Sequence, residues 1–377
     1  MKRCLIVGGF LLTVSLLRAA SLPVYVAARP SQPHGIYLLR FDPERGSLSG
    51  PVPVAEARNS TFLALDPMRR HLYVSGELSF QPPVSPAMGG VTAYAIDPAS
   101  GALTFINQRW TGGNSTTHLS VDATARAVVA ANFDEGYICV LPLAADGSLK
   151  LCSAWIEEHG PLGPDRKRQT QPHPHGVFVS PDNRFIFSCD LGLDRVLGYR
   201  LDPANGMISP NDPPFAATPA GSGPHHGAFS RDGRFFYVVN DMASSVCVFA
   251  YDSSHGALAL RQTLSALPEG FAGANTSAEI LIHPNDHFVY VSDRGADAIA
   301  VFARNRPDGR LTLVAVEPSG GRMPRSFTLS RDGRWLISAN FASDTLTVFR
   351  VDAATGRLAP TRQSASVKKP FTVLFCD

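Results

Sequence analysis

The chain has 377 residues, 44% of them hydrophobic and 18% charged, with 34 Lys and Arg set against 32 Asp and Glu. A net charge of +2 over this length leaves no field for gripping a polyanion, so nucleic acid is excluded as a partner, and the apolar content excludes an extended disordered chain. With 32 Gly, 30 Pro and 22 Phe, the composition favours short strands joined by tight turns over long helices.

At the N-terminus, Lys2 and Arg3 precede an apolar run from Leu5 to Leu17, followed by Ala19, Ala20 and Ser21. A short basic segment, a hydrophobic stretch and small residues are the parts of an export signal, with cleavage expected near Ala20. That run is too short to span a bilayer comfortably and no later one is longer, so no stable membrane anchor is expected and the mature chain is read as periplasmic or extracellular. Of the six cysteines, Cys4 falls within the signal. The other five, Cys139, Cys152, Cys189, Cys247 and Cys376, show no CxxC spacing and read as buried free thiols, with a Cys139–Cys152 pair left open.

From residue 21 onward one phrase repeats: a polar turn, an apolar strand ending in Asn or Asp, a short gap, a second apolar strand and an Asp/Gly turn. Its clearest copies are Asp182 to Asp190, Asp232 to Asn240, Asn285 to Asp293 and Asp332 to Asn340. Equivalent positions at Tyr25, Tyr73, Val129, Phe187, Tyr237, Tyr290 and Ile337 define seven units of roughly fifty residues. Fifty residues hold four short strands and their turns, and no 3.6-residue apolar spacing is present. The fold class is therefore all-β: a seven-bladed β-propeller occupying residues 21–377 as one domain. An open ring would expose sheet edges, so Leu22 to Ala27 and Pro370 to Phe375 are expected to close one blade together.

Taking the repeated strand as the innermost of each blade, the residues at and just after its end should meet at one mouth of the axial channel. Those are Glu77, Asn132, Phe133, Asp190, Asn240, Asp241, Asp293, Arg294 and Asn340. The recurrent Asn/Asp also suits plain strand-end bonding to local backbone. Glu77, Asp241 and Arg294 differ from blade to blade, which repeat geometry alone does not require. Blade-opening segments add His173, His175, His225, His226 and Glu279. No acid or cysteine stands at ligand spacing beside the histidines, so no metal is expected, and no GxGxxG or P-loop calls for a cofactor. Arg166-Lys167-Arg168 reads as a solvated loop, and 81–86 as a surface loop that could cover a channel mouth.

The phrases HPHG, GSGPHH, AEI, VSDRG and GGRMPRSF resemble those of the lactonase family of seven-bladed propellers, which includes bacterial 6-phosphogluconolactonase and fungal carboxy-cis,cis-muconate lactonizing enzymes. The resemblance covers residues 22–377 and is strongest from 173 to 350. It implies a monomeric lactone hydrolase acting on a sugar lactone or related small molecule. It carries a general acid/base role onto His175, an oxyanion or anion-binding role onto Arg294, and supporting roles onto Asp241 and Glu279. Glu77, Asn132, His225, His226 and Asn240 become candidate substrate contacts. Two positions depart from the family pattern: His225 stands where arginine is usual, and Asp241 where glutamate is usual. The other class of function open to such a channel mouth is ligand or protein binding without turnover.

Overall fold

The computed structural model describes residues 21–29, 35–78 and 88–377; the expected export signal and the 81–86 loop lie outside them. Seven antiparallel sheets of four strands each surround one axis, with no helix among the described residues. Blade 1 is built on Leu22–Ala28, and blades 2 to 7 follow in chain order. The innermost strands are Arg58–Leu65, Thr116–Val121, Pro174–Val179, Pro224–Phe229, Ser277–Ile282, Pro324–Leu329 and, for blade 1, Pro370–Phe375. Each neighbours the next, and Pro370–Phe375 packs between Pro324–Leu329 and Arg58–Leu65, so the circle is complete. The terminal strands pair antiparallel, with Val24 opposite Phe375 and Val26 opposite Val373, as edge avoidance requires.

The repeated phrase is the second strand of each blade, one place further from the axis than the sequence reading put it. Burial explains the shift. Phe185–Asp190, Phe235–Asn240, Phe288–Asp293 and Trp335–Asn340 are buried along their whole length because both faces are covered by neighbouring blades. That gives the continuous apolar runs that made them conspicuous. The strands that line the axis are shorter in apolar content and begin with polar residues.

Adjacent blades are stapled at the lower rim, where inner strands end. Buried Tyr25, Tyr73, Tyr237 and Tyr290 donate to the carbonyls of Gly101, Gly147, Gly309 and Gly356 in the next blade, at 2.7, 2.9, 2.8 and 2.8 Å. Between blades 5 and 6, the fully buried Arg304 side chain reaches Asp286 at 2.6 Å, Asp232 at 3.0 Å and the Tyr237 hydroxyl at 2.7 Å. Aromatic packing adds to this between blades 4 and 5, where the Phe187 ring of blade 4 stands 5.7 Å from both Phe229 and Phe236 of blade 5. Cys139 and Cys152 of blade 3 are both free thiols, as are the other described cysteines.

Candidate active site

Every inner strand shifts register near its start, and the shift re-aims side chains toward the axis. Pro174 pairs with Asp190 and Gly176 with Cys189, which leaves His175 as the extra residue. By the same pattern Thr117, His225 and Arg325 are the extra residues in blades 3, 5 and 7, and Phe371 in blade 1. In blades 2 and 6 the irregularity spans Arg58 to Phe62 and Ser277 to Ile280. A bulge turns an outward-pointing position inward without breaking the sheet. Gly176 makes room for this: a β-carbon there would stand 2.6 Å from the His225 carbonyl oxygen.

The bulge residues form a layer around a cavity of about 260 Å³ at the upper end of the axis. Thr61, Thr117, His175, Arg325 and Phe371 contribute from inner strands, and Arg29, Phe133, Asp241 and Arg294 from the residues just past the second strands. Hydroxyl bonds tie neighbouring inner strands together here, with Thr61 donating to Thr116 O at 2.7 Å and Thr117 to His175 O at 3.1 Å.

The residue after each bulge forms a second layer that plugs the channel. Phe62, His118, His226 and Glu279 meet there: the Phe62 and His118 rings are 4.0 Å apart, His118 and His226 4.8 Å, and His226 Nδ1 donates to Glu279 Oε1 at 3.1 Å. Below this plug the channel widens into a funnel of about 570 Å³ whose lining includes Phe62 and Glu279.

In the upper cavity four arginines face one carboxylate. Arg294 Nη2 donates to Asp241 Oδ2 and, at 3.3 Å, to the Ser277 carbonyl, while Arg168 Nη1 donates to Asp241 Oδ1 at 2.6 Å. Arg325 and Arg29 lie against the Phe371 ring, 3.9 and 4.6 Å from its centroid. Burial, and then repulsion from Arg294 and Arg29, lowers the Arg325 guanidinium to about 9, and its Nε has no hydrogen-bond partner. Burial also lowers Arg29. Such uncompensated positive charge is a seat for an anion.

His175 and His225 stack with centroids 3.5 Å apart. Burial, followed by nearby cationic groups, holds both imidazoles well below the usual histidine range and so keeps them neutral. His175 Nδ1 and both nitrogens of His225 have no partner, although His225 Nε2 comes within 4.0 Å of Asp241 Oδ2. Ligand atoms of His175, His225 and His226 lie within 4.8 Å of one another. Around one metal, nitrogens about 2.1 Å from the ion sit roughly 3.4 Å apart with converging lone pairs. Stacked rings beside the Arg294 and Arg325 guanidiniums suit that poorly.

The sequence candidates divide accordingly. His175, Asp241 and Arg294 line the upper cavity, and His225 stacks on its wall. Glu279 does not reach His175: it binds His226 in the plug and faces the lower funnel. Asn132 and Asn240, at the ends of second strands, turn to local partners. Asn132 Oδ1 accepts from Thr111 at 2.7 Å, and Asn240 Nδ2 donates to Ser245 at 3.0 Å. Glu77 occupies the equivalent strand end and accepts from Asn59 at 2.6 Å. Strand alternation accounts for all three, since the end residue faces the sheet's neighbour and the next one faces the axis. Arg29, Arg325, Thr61, Thr117, His118 and Phe371 escaped the sequence reading, and Arg168, read there as part of a solvated loop, lines the cavity instead. Four of the bulges carried a signal, a proline immediately before the extra residue: Pro174-His175, Pro224-His225, Pro324-Arg325 and Pro370-Phe371.

Residues 23–375 match the family described as lactonase, 7-bladed beta-propeller, and the chain belongs to that family. It is 33% identical over 341 residues to a 6-phosphogluconolactonase of Bacillus subtilis, covering 90% of this chain and 94% of the relative. A 6-phosphogluconolactonase of Pectobacterium carotovorum is 32% identical, with 93% and 97% covered. Among solved structures, the periplasmic gluconolactonase PpgL of Pseudomonas aeruginosa superposes with a TM-score of 0.88 at 34% identity, covering 94% of this chain and 99% of that one. The chain is a lactonase-family hydrolase.

Proposed function

We propose that this protein is an exported, monomeric hydrolase that opens a sugar lactone in the upper axial cavity. The observation that carries this reading is a neutral imidazole with an unpartnered Nδ1, His175, in one small cavity with several guanidinium groups and a single carboxylate. Lactone hydrolysis makes those demands: a proton must leave the attacking water, negative charge builds on the carbonyl oxygen, and a carboxylate is the product. His175 takes the water proton on a ring nitrogen as the C–O bond forms. Arg325 and Arg294 stabilise the oxyanion. When the tetrahedral centre collapses, the ring C–O bond breaks and His175 returns its proton to the departing ring oxygen. Asp241 holds Arg294 in place rather than moving the proton, because both its oxygens already accept from arginines. Export is supported by the basic-then-apolar N-terminal segment and by the periplasmic setting named for PpgL.

The test follows acid release from glucono-δ-lactone and 6-phosphoglucono-δ-lactone with a pH-indicator dye, above the spontaneous rate. At least one should be turned over, and His175→Ala should lower kcat by about 10²- to 10⁴-fold. Because His175 is held neutral, wild-type activity should persist on the acid side of the ordinary histidine range before it falls. Binding of either sugar acid without turnover would leave a binding module in place of an enzyme.

A further inference from the structure

The segment joining the outer strand of blade 3, which ends at Glu157, to the inner strand of blade 4 passes over the upper mouth. Its basic triplet does not behave as one solvated unit. Asp165 Oδ1 accepts from Lys167 N at 2.8 Å and Arg168 N at 3.2 Å, and Gln169 N returns to Asp165 O at 2.8 Å, which makes a closed turn. Gln169 pins the turn to the blade: its side chain is buried and donates to Leu191 O at 2.9 Å. Arg166 and Lys167 face solvent, while Arg168 is aimed at the cavity and grips Asp241.

The four cavity arginines differ in how firmly they are held. Arg294 is tied to Asp241 and to the Thr276 and Ser277 carbonyls and is 10% exposed; Arg325 and Arg29 are seated on Phe371. Arg168 approaches from a loop, its side chain is 41% exposed, and its guanidinium bond goes to Asp241, a carboxylate that Arg294 already neutralises. Moving Arg168 from Asp241 to an incoming anion therefore strands no unpaired carboxylate and needs only a rotation of an already hydrated side chain.

Building on the lactone-hydrolase reading, we propose that Arg168 is the specificity-determining residue of this cavity. It transfers its guanidinium from Asp241 to an anionic substituent on the sugar, selecting acidic lactones over neutral ones. Arg294 and Arg325 remain with the reacting carbonyl, so recognition of the substituent and stabilisation of the oxyanion fall to different side chains.

The experiment compares kcat and KM of wild type, Arg168→Ala and Arg168→Lys on 6-phosphoglucono-δ-lactone and glucono-δ-lactone. Calorimetric titration of the same three proteins with 6-phosphogluconate and gluconate runs beside it. In Arg168→Ala the preference for the phosphorylated over the neutral lactone should fall by about 10- to 100-fold, the cost of one charge-assisted bond, and the fall should reside in KM. Arg168→Lys, which keeps the charge and loses the planar fork, should recover part of it. An unchanged preference in Arg168→Ala, or a wild type indifferent to the phosphate, overturns the assignment. If wild type turns over neither lactone, the hydrolase reading fails while titration still decides on Arg168. A loss of 6-phosphogluconate affinity greater than that for gluconate sustains its role, and equal losses overturn it.

Discussion

The two ends of the axial channel are built from the same seven strands, yet they gather different side chains. The lower funnel is the larger, about 570 Å³, and its lining pairs Arg69, Arg231 and Arg331 with Asp66, Glu279 and Asp377. The upper cavity is about 260 Å³ and sets four arginines against Asp241 alone. Inner strands are bulged at their upper ends and regular below. The lower rim carries the tyrosine-to-glycine bonds and the Arg304 network and has an unpartnered nitrogen at Arg69, whereas His175, His225 and Arg325 gather several unpartnered nitrogens above. Volume is therefore a poor guide to a site in this ring. The site proposed above rests instead on uncompensated charge and re-aimed side chains, and the other end carries the bonds between blades.

That division is open to direct attack. Arg294→Met should cut kcat by about 10²- to 10³-fold, the cost of removing one oxyanion donor, with the melting temperature little changed. Arg231→Met at the funnel should leave kcat within about twofold. Equal losses in the two variants would erase the distinction between the ends. The reverse experiment is Arg304→Met, which takes from buried Asp286 its close cation and leaves only Arg306 at 3.8 Å. Chemical denaturation should show a loss of about 3–5 kcal/mol, with kcat per folded molecule preserved.

How far these ends were legible from sequence follows from the same alternation. The ring, the number of blades and the terminal closure came from a repeat of seven apolar phrases, because strands covered on both faces must be apolar throughout. Those phrases belong to second strands, however, and reading them as innermost gave Asn132, Asn240 and Glu77 a channel role that local bonding occupies instead. Phe133, Asp241 and Arg294 survived because they follow the strand end by one residue and point the other way. The bulge residues were harder to find, since a register shift depends on pairing across strands, although the recurrent proline before them is a usable mark. Arg168 carried no local signal at all: its partner is 73 residues away, and only the path of the loop brings them together.

A smaller effect sharpens the picture of the upper rim. Asp293 is buried beside Arg294, accepts from Ser277 at 2.5 Å and Asn275 at 2.9 Å, and has one oxygen without a partner. Burial raises it to about 7. A carboxyl raised on folding favours the native state most while protonated in both states; that advantage disappears as pH climbs from about 4 to 7. Asp293→Asn keeps the two accepted bonds and has no such penalty. It should match wild type near pH 4 and exceed it above pH 7 by on the order of 1–4 kcal/mol, read by denaturant titration across that range. A difference independent of pH would mean that this side chain is ionised throughout.

The strand Pro370–Phe375 has a consequence for biogenesis. It supplies Phe371, the aromatic seat for Arg29 and Arg325, and, as the innermost strand of blade 1, it sits between the inner strands of blades 7 and 2 around the axis. The other sheets can thus form while the pocket is still unfinished. If the proposed site is the working one, turnover arrives together with ring closure and reports an intact C-terminal strand.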